Sequence, residues 1–142
     1  MTDGCRPITM LMVEDNPADV CIFQEALKET ALAVELYIVT DGKSAMEFLA
    51  RWGASVNAPR PDVVVLDLNL PMMNGQEMLI EMMSQPLLSS IPVAVLTTSD
   101  CEQCVCQLCP PGRCRYFTKT DDFAHLQGIV RQIEQHARSH LG

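Results

Sequence analysis

The sequence predicts a doubly wound α/β fold, in which helices cover both faces of one parallel sheet. Four short apolar runs, at residues 8–13, 34–39, 63–66 and 93–96, are each followed by a turn signal and a segment with helical spacing. A mixed fifth run around residues 115–118 precedes a long amphipathic segment. Strands that alternate with helices along a chain form parallel sheets, so we expect one such sheet.

The predicted helices have recognisable start and stop signals. Asn16 and Pro17 supply an N-cap and a first-turn proline for the first helix. The second helix carries an apolar stripe that is expected to stop at Gly53. The last helix is expected to begin near Asp121, with apolar residues at helical intervals. Three histidines are predicted on its solvated face: His125, His136 and His140.

Strand composition predicts the order of strands in the sheet. The runs at residues 63–66 and 93–96 are continuously apolar, which is typical of strands covered on both faces. Glu35 and Tyr37 interrupt the second run, and Arg115 and Thr118 interrupt the fifth, which is typical of edge strands. The order 2-1-3-4-5 places those two runs at the edges and is the flavodoxin-like arrangement. We therefore expect five strands in this order, with five helices.

Composition excludes several classes of function. Eighteen Asp and Glu against ten Lys and Arg give a net charge of −8, without a basic stripe, so direct nucleic-acid binding is not expected. The apolar runs are shorter than the roughly 18–20 residues of a membrane span, and the N-terminus does not resemble a signal peptide. We expect a soluble, cytoplasmic protein that does not contact membranes. Its seven cysteines, an odd number, are expected to be reduced.

Polar residues follow the predicted strands at their carboxyl ends. Glu14 and Asp15 follow the first strand, Asp67 the third, Thr97 the fourth and Lys119 the fifth. These ends converge in such folds. Crowded carboxylates repel one another, and oxygen ligands without His or Cys favour a hard ion such as Mg²⁺ or Mn²⁺. A carboxylate supported by a metal and a lysine can form an aspartyl phosphate, and Asp67 is best placed for that attack.

Several sequence blocks resemble the CheY-like receiver domains of response regulators. They are Glu14-Asp15-Asn16-Pro17, Asp67-Leu68-Asn69-Leu70-Pro71-Met72-Met73-Asn74-Gly75, Ile91-Pro92 with Leu96-Thr97-Thr98-Ser99-Asp100, and Tyr116-Phe117-Thr118-Lys119. Three of these blocks are similar to the stand-alone regulators associated with bacterial phytochromes. The resemblance implies a single receiver domain over residues 1–142, with its core at about residues 8–138 and no output domain.

The resemblance also implies a role for each matching residue. Asp67 would accept a phosphoryl group in a two-component His-Asp phosphorelay, in a Mg²⁺-dependent reaction. Thr97 and Lys119 would each contact a phosphoryl oxygen, and Tyr116 would rotate inward as an aromatic switch. The implied metal ligands are Asp15, Asp67, the backbone carbonyl of Asn69 and, through water, Glu14.

The partners implied by the resemblance are proteins. The phosphodonor would be a sensor histidine kinase or a phosphotransfer protein, and a bacteriophytochrome is one candidate. The output would be a protein–protein contact, a homodimer through the face of the fourth helix, fifth strand and fifth helix, or drainage of phosphate from a competing regulator. The chain would catalyse its own phosphorylation and dephosphorylation and no other reaction.

Two alternatives share parts of this pattern. A phosphatase of the haloacid-dehalogenase type also uses an aspartate nucleophile, Mg²⁺ and a lysine, but its Asp-x-Asp-x-Thr signature at the first strand is absent, and turnover of a phosphomonoester would discriminate it. A pseudo-receiver would keep the fold and serve as a binding module. Asp67 and Lys119 are both present, which argues against it.

The sequence departs from the receiver pattern in two places. Thr120 follows the active-site lysine, where receivers usually carry proline, often after a cis bond, so the sequence leaves the cis or trans state of the Lys119–Thr120 bond open. The predicted fourth helix is rich in cysteine and must stop near Cys109, before two prolines. We expect free thiols rather than a zinc or iron–sulfur site, because helical spacing turns the side chains in different directions; a reactive or disulfide-forming role is the remaining alternative. This expectation covers Cys101, Cys104, Cys106 and Cys109.

Overall fold

A computed structural model describes residues 7–30, 33–54, 60–67, 75–86, 88–97, 114–120 and 122–139. Five parallel strands form one sheet in the order β2-β1-β3-β4-β5. The strands are β1 (Ile8–Val13), β2 (Val34–Val39), β3 (Val63–Asp67), β4 (Val93–Thr97) and β5 (Cys114–Thr118). The predicted fold class and strand order are confirmed.

Four helices are found in the described residues, where five were expected for the whole chain. They are α1 (Pro17–Glu29), α2 (Gly42–Ala54), α3 (Gly75–Met83) and α4 (Phe123–Arg138). The helix α4 is the fifth helix of the predicted scheme, and the predicted fourth helix, at residues 101–109, lies outside the described residues. None of the four is both long enough and apolar enough to cross a bilayer.

The ends of the helices follow their capping residues. Asn16 caps α1 by accepting a hydrogen bond from the Ala18 backbone N–H at 2.9 Å, and Pro17 occupies the first turn as predicted. The α2 helix ends at Ala54, one residue past the predicted stop at Gly53. A glycine costs a helix about 1 kcal/mol or less, so it does not by itself end the last turn.

The core lies in two layers, one on each face of the sheet. Alternate residues of β1 serve both layers: Met10 packs with α1 and α4, whereas Leu11 packs with α2 and α3. Every residue of β3 is buried, while β2 is partly buried along most of its length. The prediction that continuous runs are central and mixed runs are edges is therefore correct.

One histidine contradicts the expectation of a solvated face. His125 is exposed as predicted, but His136 is only 5% exposed and lies near the end of α4. His136 follows the buried Ile133 by three residues, so helical geometry places both on the face that packs on the sheet. His140 lies outside the described residues.

The expectation of reduced thiols is correct for Cys21 and wrong for Cys114. Cys21 is exposed and free, whereas Cys114 is disulfide-bonded. The expectation rested on composition and compartment, and neither considers which sulfur atoms lie close to one another. The predicted free thiols lie outside the described residues: Cys101, Cys104, Cys106 and Cys109.

Candidate functional site

The carboxyl ends of four strands meet at one edge of the sheet. Glu14 directly follows β1, Asp67 ends β3, Thr97 ends β4 and Lys119 directly follows β5. The residue before Glu14 pairs with the residue before Asp67, so the two carboxylates lie level on neighbouring strands. Thr97 on β4 pairs with Thr118 on β5, the residue before Lys119. The strand register thus brings the predicted residues to one place.

Three carboxylates form a tight group at this edge. Glu14, Asp15 and Asp67 each offer an oxygen, and these three oxygens lie within 4.8 Å of one another. Glu14 is 1% exposed and Asp67 is 3% exposed, whereas Asp15 is open to solvent. Two of the three carboxylates are therefore largely removed from water. Their mutual repulsion is stronger there than it would be in solvent.

Local structure holds Glu14 in this position. Its backbone N–H donates to the Val39 carbonyl oxygen at 3.0 Å, which extends the β1–β2 pairing by one residue. Its Oε2 accepts a hydrogen bond from the Asn16 backbone N–H at 3.2 Å, in the turn that leads into α1. The turn that starts the first helix therefore also orients a carboxylate of the site.

The Lys119 ammonium contacts three carboxylates. Its Nζ donates to Glu14 Oε1 at 2.9 Å, to Asp67 Oδ2 at 3.0 Å and to Asp19 Oδ2 at 3.0 Å. An ammonium has three donors, so these contacts use its full capacity. Lys119 is mostly buried, which strengthens each of these ion pairs relative to a surface pair.

The pKa values report an excess of negative charge. The pKa of Glu14 is raised from 4.5 to about 7, chiefly because burial disfavours the carboxylate and also because Asp67 lies beside it. Lys119 lowers that pKa but does not outweigh both effects. Burial alone would lower the pKa of Lys119, yet its hydrogen bonds to Glu14, Asp67 and Asp19 raise it above its usual range. The lysine therefore stays charged, and its one positive charge does not balance the carboxylates.

The donor set fits a hard divalent cation. All three groups are carboxylates, which suit Mg²⁺, Ca²⁺ or Mn²⁺ far better than soft metals. The exposed side of Asp15 leaves room for the waters that small divalent ions retain. The fourth predicted ligand, the carbonyl of Asn69, lies outside the described residues.

The two remaining predicted site residues are described in part. The backbone of Thr97 is at the end of β4, and its side chain is outside the described part of the chain. Tyr116 lies on β5, packs partly buried against the α2 and α3 layer, and has a phenol oxygen that solvent does not reach. Its role as a switch stays a prediction.

Asp19 belongs to the site and was missed in the sequence. It is in the first turn of α1, where acidic side chains are common because they favour the helix dipole. That ordinary explanation hides its contact with Lys119, which is one hundred residues away in the chain. A usable signal was its spacing: Asp15 lies just before the N-cap of α1 and Asp19 is in its first turn, so both are near the amino end of the helix.

This chain is similar to known proteins over most of its length. A model of the response regulator receiver domain matches residues 10–131. The response regulator Rcp1 of Synechocystis sp. is 42% identical over 128 residues, which cover 90% of this chain and 87% of Rcp1.

Two solved structures are similar over nearly their whole length. The Mn²⁺-bound form of Rcp1 has a TM-score of 0.76 at 41% identity and covers 90% of this chain and 96% of that one. The phosphorylated cyanobacterial phytochrome response regulator RcpA has a TM-score of 0.80 at 40% identity, over 96% of this chain and 97% of that one.

Proposed function

Because this chain belongs to the response regulator receiver domain family and acts in two-component phosphorelay signalling, we propose that Asp67 is its phosphoacceptor. One observation carries the assignment. The buried carboxylate of Asp67 accepts a hydrogen bond from Lys119 at 3.0 Å and lies within the group of three carboxylates. The proposed nucleophile, the lysine ammonium and the proposed metal ligands thus lie close together.

In the proposed reaction, a carboxylate oxygen of Asp67 attacks the phosphorus atom of a phosphohistidine or a small phosphodonor. The new bond joins that oxygen to phosphorus and the bond from phosphorus to the leaving group breaks. The imidazole released from phosphohistidine takes a proton from water, whereas acetyl phosphate releases acetate. Lys119 offsets negative charge on the phosphoryl oxygens, because its ammonium already lies beside Asp67. Hydrolysis of the aspartyl phosphate by water returns the site to its starting state.

We assign the divalent ion as Mg²⁺, with Mn²⁺ as a substitute. Asp15 and Asp67 would bind it directly, with Glu14 through water and the Asn69 carbonyl as a further ligand. Both carboxylate oxygens of Glu14 already accept hydrogen bonds, from Lys119 and from the Asn16 N–H, which supports the indirect role. When bound, the ion supplies the positive charge that the carboxylates and the phosphoryl oxygens require.

Phosphorylation would change the partners of Lys119 and Thr97. Lys119 would give up one carboxylate contact and donate to a phosphoryl oxygen, while Thr97 would donate to another. Both contacts exist in the phosphorylated state alone, so they shift the population toward the active conformation. Tyr116 would turn inward in the same transition and alter the surface of β5 and α4.

The phosphodonor would be a sensor histidine kinase or a phosphotransfer protein in the cytoplasm. A bacteriophytochrome is our first candidate, because RcpA, 40% identical to this chain, is a phytochrome response regulator. The output would be a contact with another protein or a homodimer through the β5 and α4 face, and the net charge of −8 does not favour nucleic acid.

Labelling with a small phosphodonor tests the proposal. The protein is incubated with acetyl phosphate and Mg²⁺, and the modified fraction is measured by intact-protein mass. We expect one phosphoryl group per chain, which hydroxylamine removes because it cleaves acyl phosphates. Excess EDTA should abolish the labelling. Equal labelling in EDTA, or a label that resists hydroxylamine, would contradict a metal-dependent aspartyl phosphate.

A further inference from the structure

Asp19 contacts the lysine of the site but stands apart from the metal ligands. Its Oδ2 lies 3.0 Å from Lys119 Nζ, whereas the three grouped oxygens belong to Glu14, Asp15 and Asp67. The Asp19 side chain is 41% exposed, against 4% for Asp67 and 1% for Glu14. Asp19 therefore contacts the ammonium from the solvent-facing end of α1. This contact involves Lys119 and not the grouped carboxylates.

We propose that Asp19 is a positioning residue that restrains Lys119 in the unmodified protein and shifts the site from phosphoryl binding toward metal binding. This inference rests on the proposed role of Asp67 and deepens it. Asp19 itself touches neither the phosphoryl group nor the ion. It acts through the ammonium that it holds and through its charge.

Hydrogen-bond capacity gives the first part of the argument. The three donors of Lys119 are matched by three carboxylates, so a phosphoryl oxygen on Asp67 must replace one of them. Glu14 and Asp67 belong to the group of carboxylates that would hold the cation, whereas Asp19 does not belong to that group. Asp19 is therefore the carboxylate that retains its hydrogen bond with Lys119 and competes with the phosphoryl group for the ammonium.

The charge of Asp19 gives the second part of the argument. It opposes binding of the phosphoryl group and favours binding of the divalent cation. Among the described residues, four carboxylates and one ammonium surround the site, so a divalent cation leaves one net negative charge. Neutralising Asp19 removes that charge, which favours an incoming anion and disfavours the cation. A residue that merely supported the local structure would weaken both ligands when replaced. The opposite signs are the signature of the proposed role.

Two titrations on the intact chain separate these roles. Mg²⁺ affinity is measured by calorimetry, and the affinity for beryllofluoride, which resembles a phosphoryl group, is measured at saturating Mg²⁺. For Asp19→Asn we expect beryllofluoride to bind more tightly and Mg²⁺ more weakly, each by about threefold to tenfold. The effect is modest because solvent screens a side chain that is 41% exposed. Asp19→Ser, which also suits a first helical turn, repeats the test with a shorter side chain.

Two control variants complete the design. Asp19→Glu keeps the charge and should restore both affinities toward those of the original protein. Glu25→Gln removes one carboxylate from the exposed part of α1, where Glu25 pairs with Lys28 at 3.5 Å, and should leave both affinities unchanged. Equal shifts in Glu25→Gln and Asp19→Asn would mean that net charge, and not the lysine contact, is responsible, and would overturn the inference.

The remaining outcomes are also decisive. Loss of both affinities in Asp19→Asn and Asp19→Ser, or no change in either, overturns the positioning role while leaving Asp67 as the phosphoacceptor. Failure of the unmodified protein to bind beryllofluoride, or equal binding by Asp67→Asn, contradicts the proposed function itself. Opposite shifts that Asp19→Glu reverses support the inference.

Discussion

Two buried aspartates stand at opposite ends of β3 and have different surroundings. Asp62 precedes the strand and Asp67 ends it, and both are 3% exposed. Asp62 Oδ2 accepts a hydrogen bond from the Thr9 backbone N–H at 2.9 Å, and its own N–H donates to the Thr9 carbonyl at 2.7 Å. Arg60 lies 3.9 Å from its other carboxylate oxygen. Asp62 therefore joins β1 to β3 at the amino end of the sheet.

Asp67 lies instead among groups of its own charge. Glu14 and Asp15 place oxygens within 4.8 Å, and one lysine is shared among three carboxylates. A buried carboxylate with backbone donors stabilises the fold, whereas one crowded by other carboxylates costs stability until a cation binds. Burial of an aspartate thus does not identify a site, and the signs of its neighbours do.

The largest expected effect comes from removing each aspartate's charge and measuring phosphoryl transfer. Asp67→Asn should reduce Mg²⁺-dependent labelling by acetyl phosphate to background, because an amide is not a nucleophile for phosphorus. Asp62→Asn should label to the same extent as the original protein, since it lies at the opposite end of β3. Loss of labelling in both variants, or in neither, would break the comparison.

The second effect concerns Lys119, whose ammonium lies beside Asp67. Lys119→Ala should still bind Mg²⁺ through the carboxylates but should lose most of its phosphate-dependent association with a partner, because the phosphoryl group would have no ammonium contact. Lys28→Ala, which replaces an exposed lysine on α1, is the matched control. Partner binding that still responds fully to phosphorylation in Lys119→Ala would contradict the assigned role.

The free energy of unfolding should respond more strongly to replacement of Asp62 than to replacement of Asp67, which is the reverse of the labelling result. Asp62→Ala leaves the partly buried Thr9 N–H without this acceptor, so the free energy of unfolding in urea should fall by about 1–3 kcal/mol. Asp67→Asn relieves repulsion among the carboxylates, so in the absence of metal its stability should be unchanged or higher. A large loss of stability in Asp67→Asn would show that Asp67 is also a structural residue.

The smallest effect is a pH dependence of metal binding. The pKa of Glu14 is raised to about 7, so a proton competes with the cation below that pH. Mg²⁺ affinity should rise about tenfold from pH 6 to pH 8 and then level off. Because the folded state holds this proton more tightly than the unfolded chain, the metal-free protein should lose stability between pH 4.5 and about 7.

Glu14→Gln is the control for the pH experiment, because it removes the titrating group and should flatten both curves. Calorimetry measures the affinity, and urea unfolding with and without Mg²⁺ measures the stability. An affinity that is the same at pH 6 and pH 8 in the original protein would mean that Glu14 does not hold its proton at neutral pH.

The amino-acid sequence was sufficient for the fold and for much of the candidate site. Period and composition distinguished central strands from edges, and parallel strands bring their carboxyl ends together, so the sequence alone could group Glu14, Asp67 and Lys119. The capping pair Asn16 and Pro17 located α1 to the residue. These features are local or follow from one rule of topology.

Features that depend on a long-range contact were not predictable. In the sequence, Asp19 is a common kind of first-turn residue and Asp62 an ordinary loop residue. Their hydrogen bonds with Lys119 and Thr9 become visible only in the folded structure. His136 is polar in type, yet helical geometry places it on the buried face of α4. The disulfide of Cys114 depends on the distance between two sulfur atoms, which composition does not determine.

Mapping the modified residue tests the central claim most directly. The chain is labelled with acetyl phosphate and Mg²⁺, reduced with borohydride so that an aspartyl phosphate becomes homoserine, and analysed by peptide mass spectrometry. We expect homoserine at Asp67 and unmodified aspartate at Asp15, Asp19 and Asp62. Homoserine at one of those three positions, with Asp67 unmodified, would contradict the assignment of the phosphoacceptor.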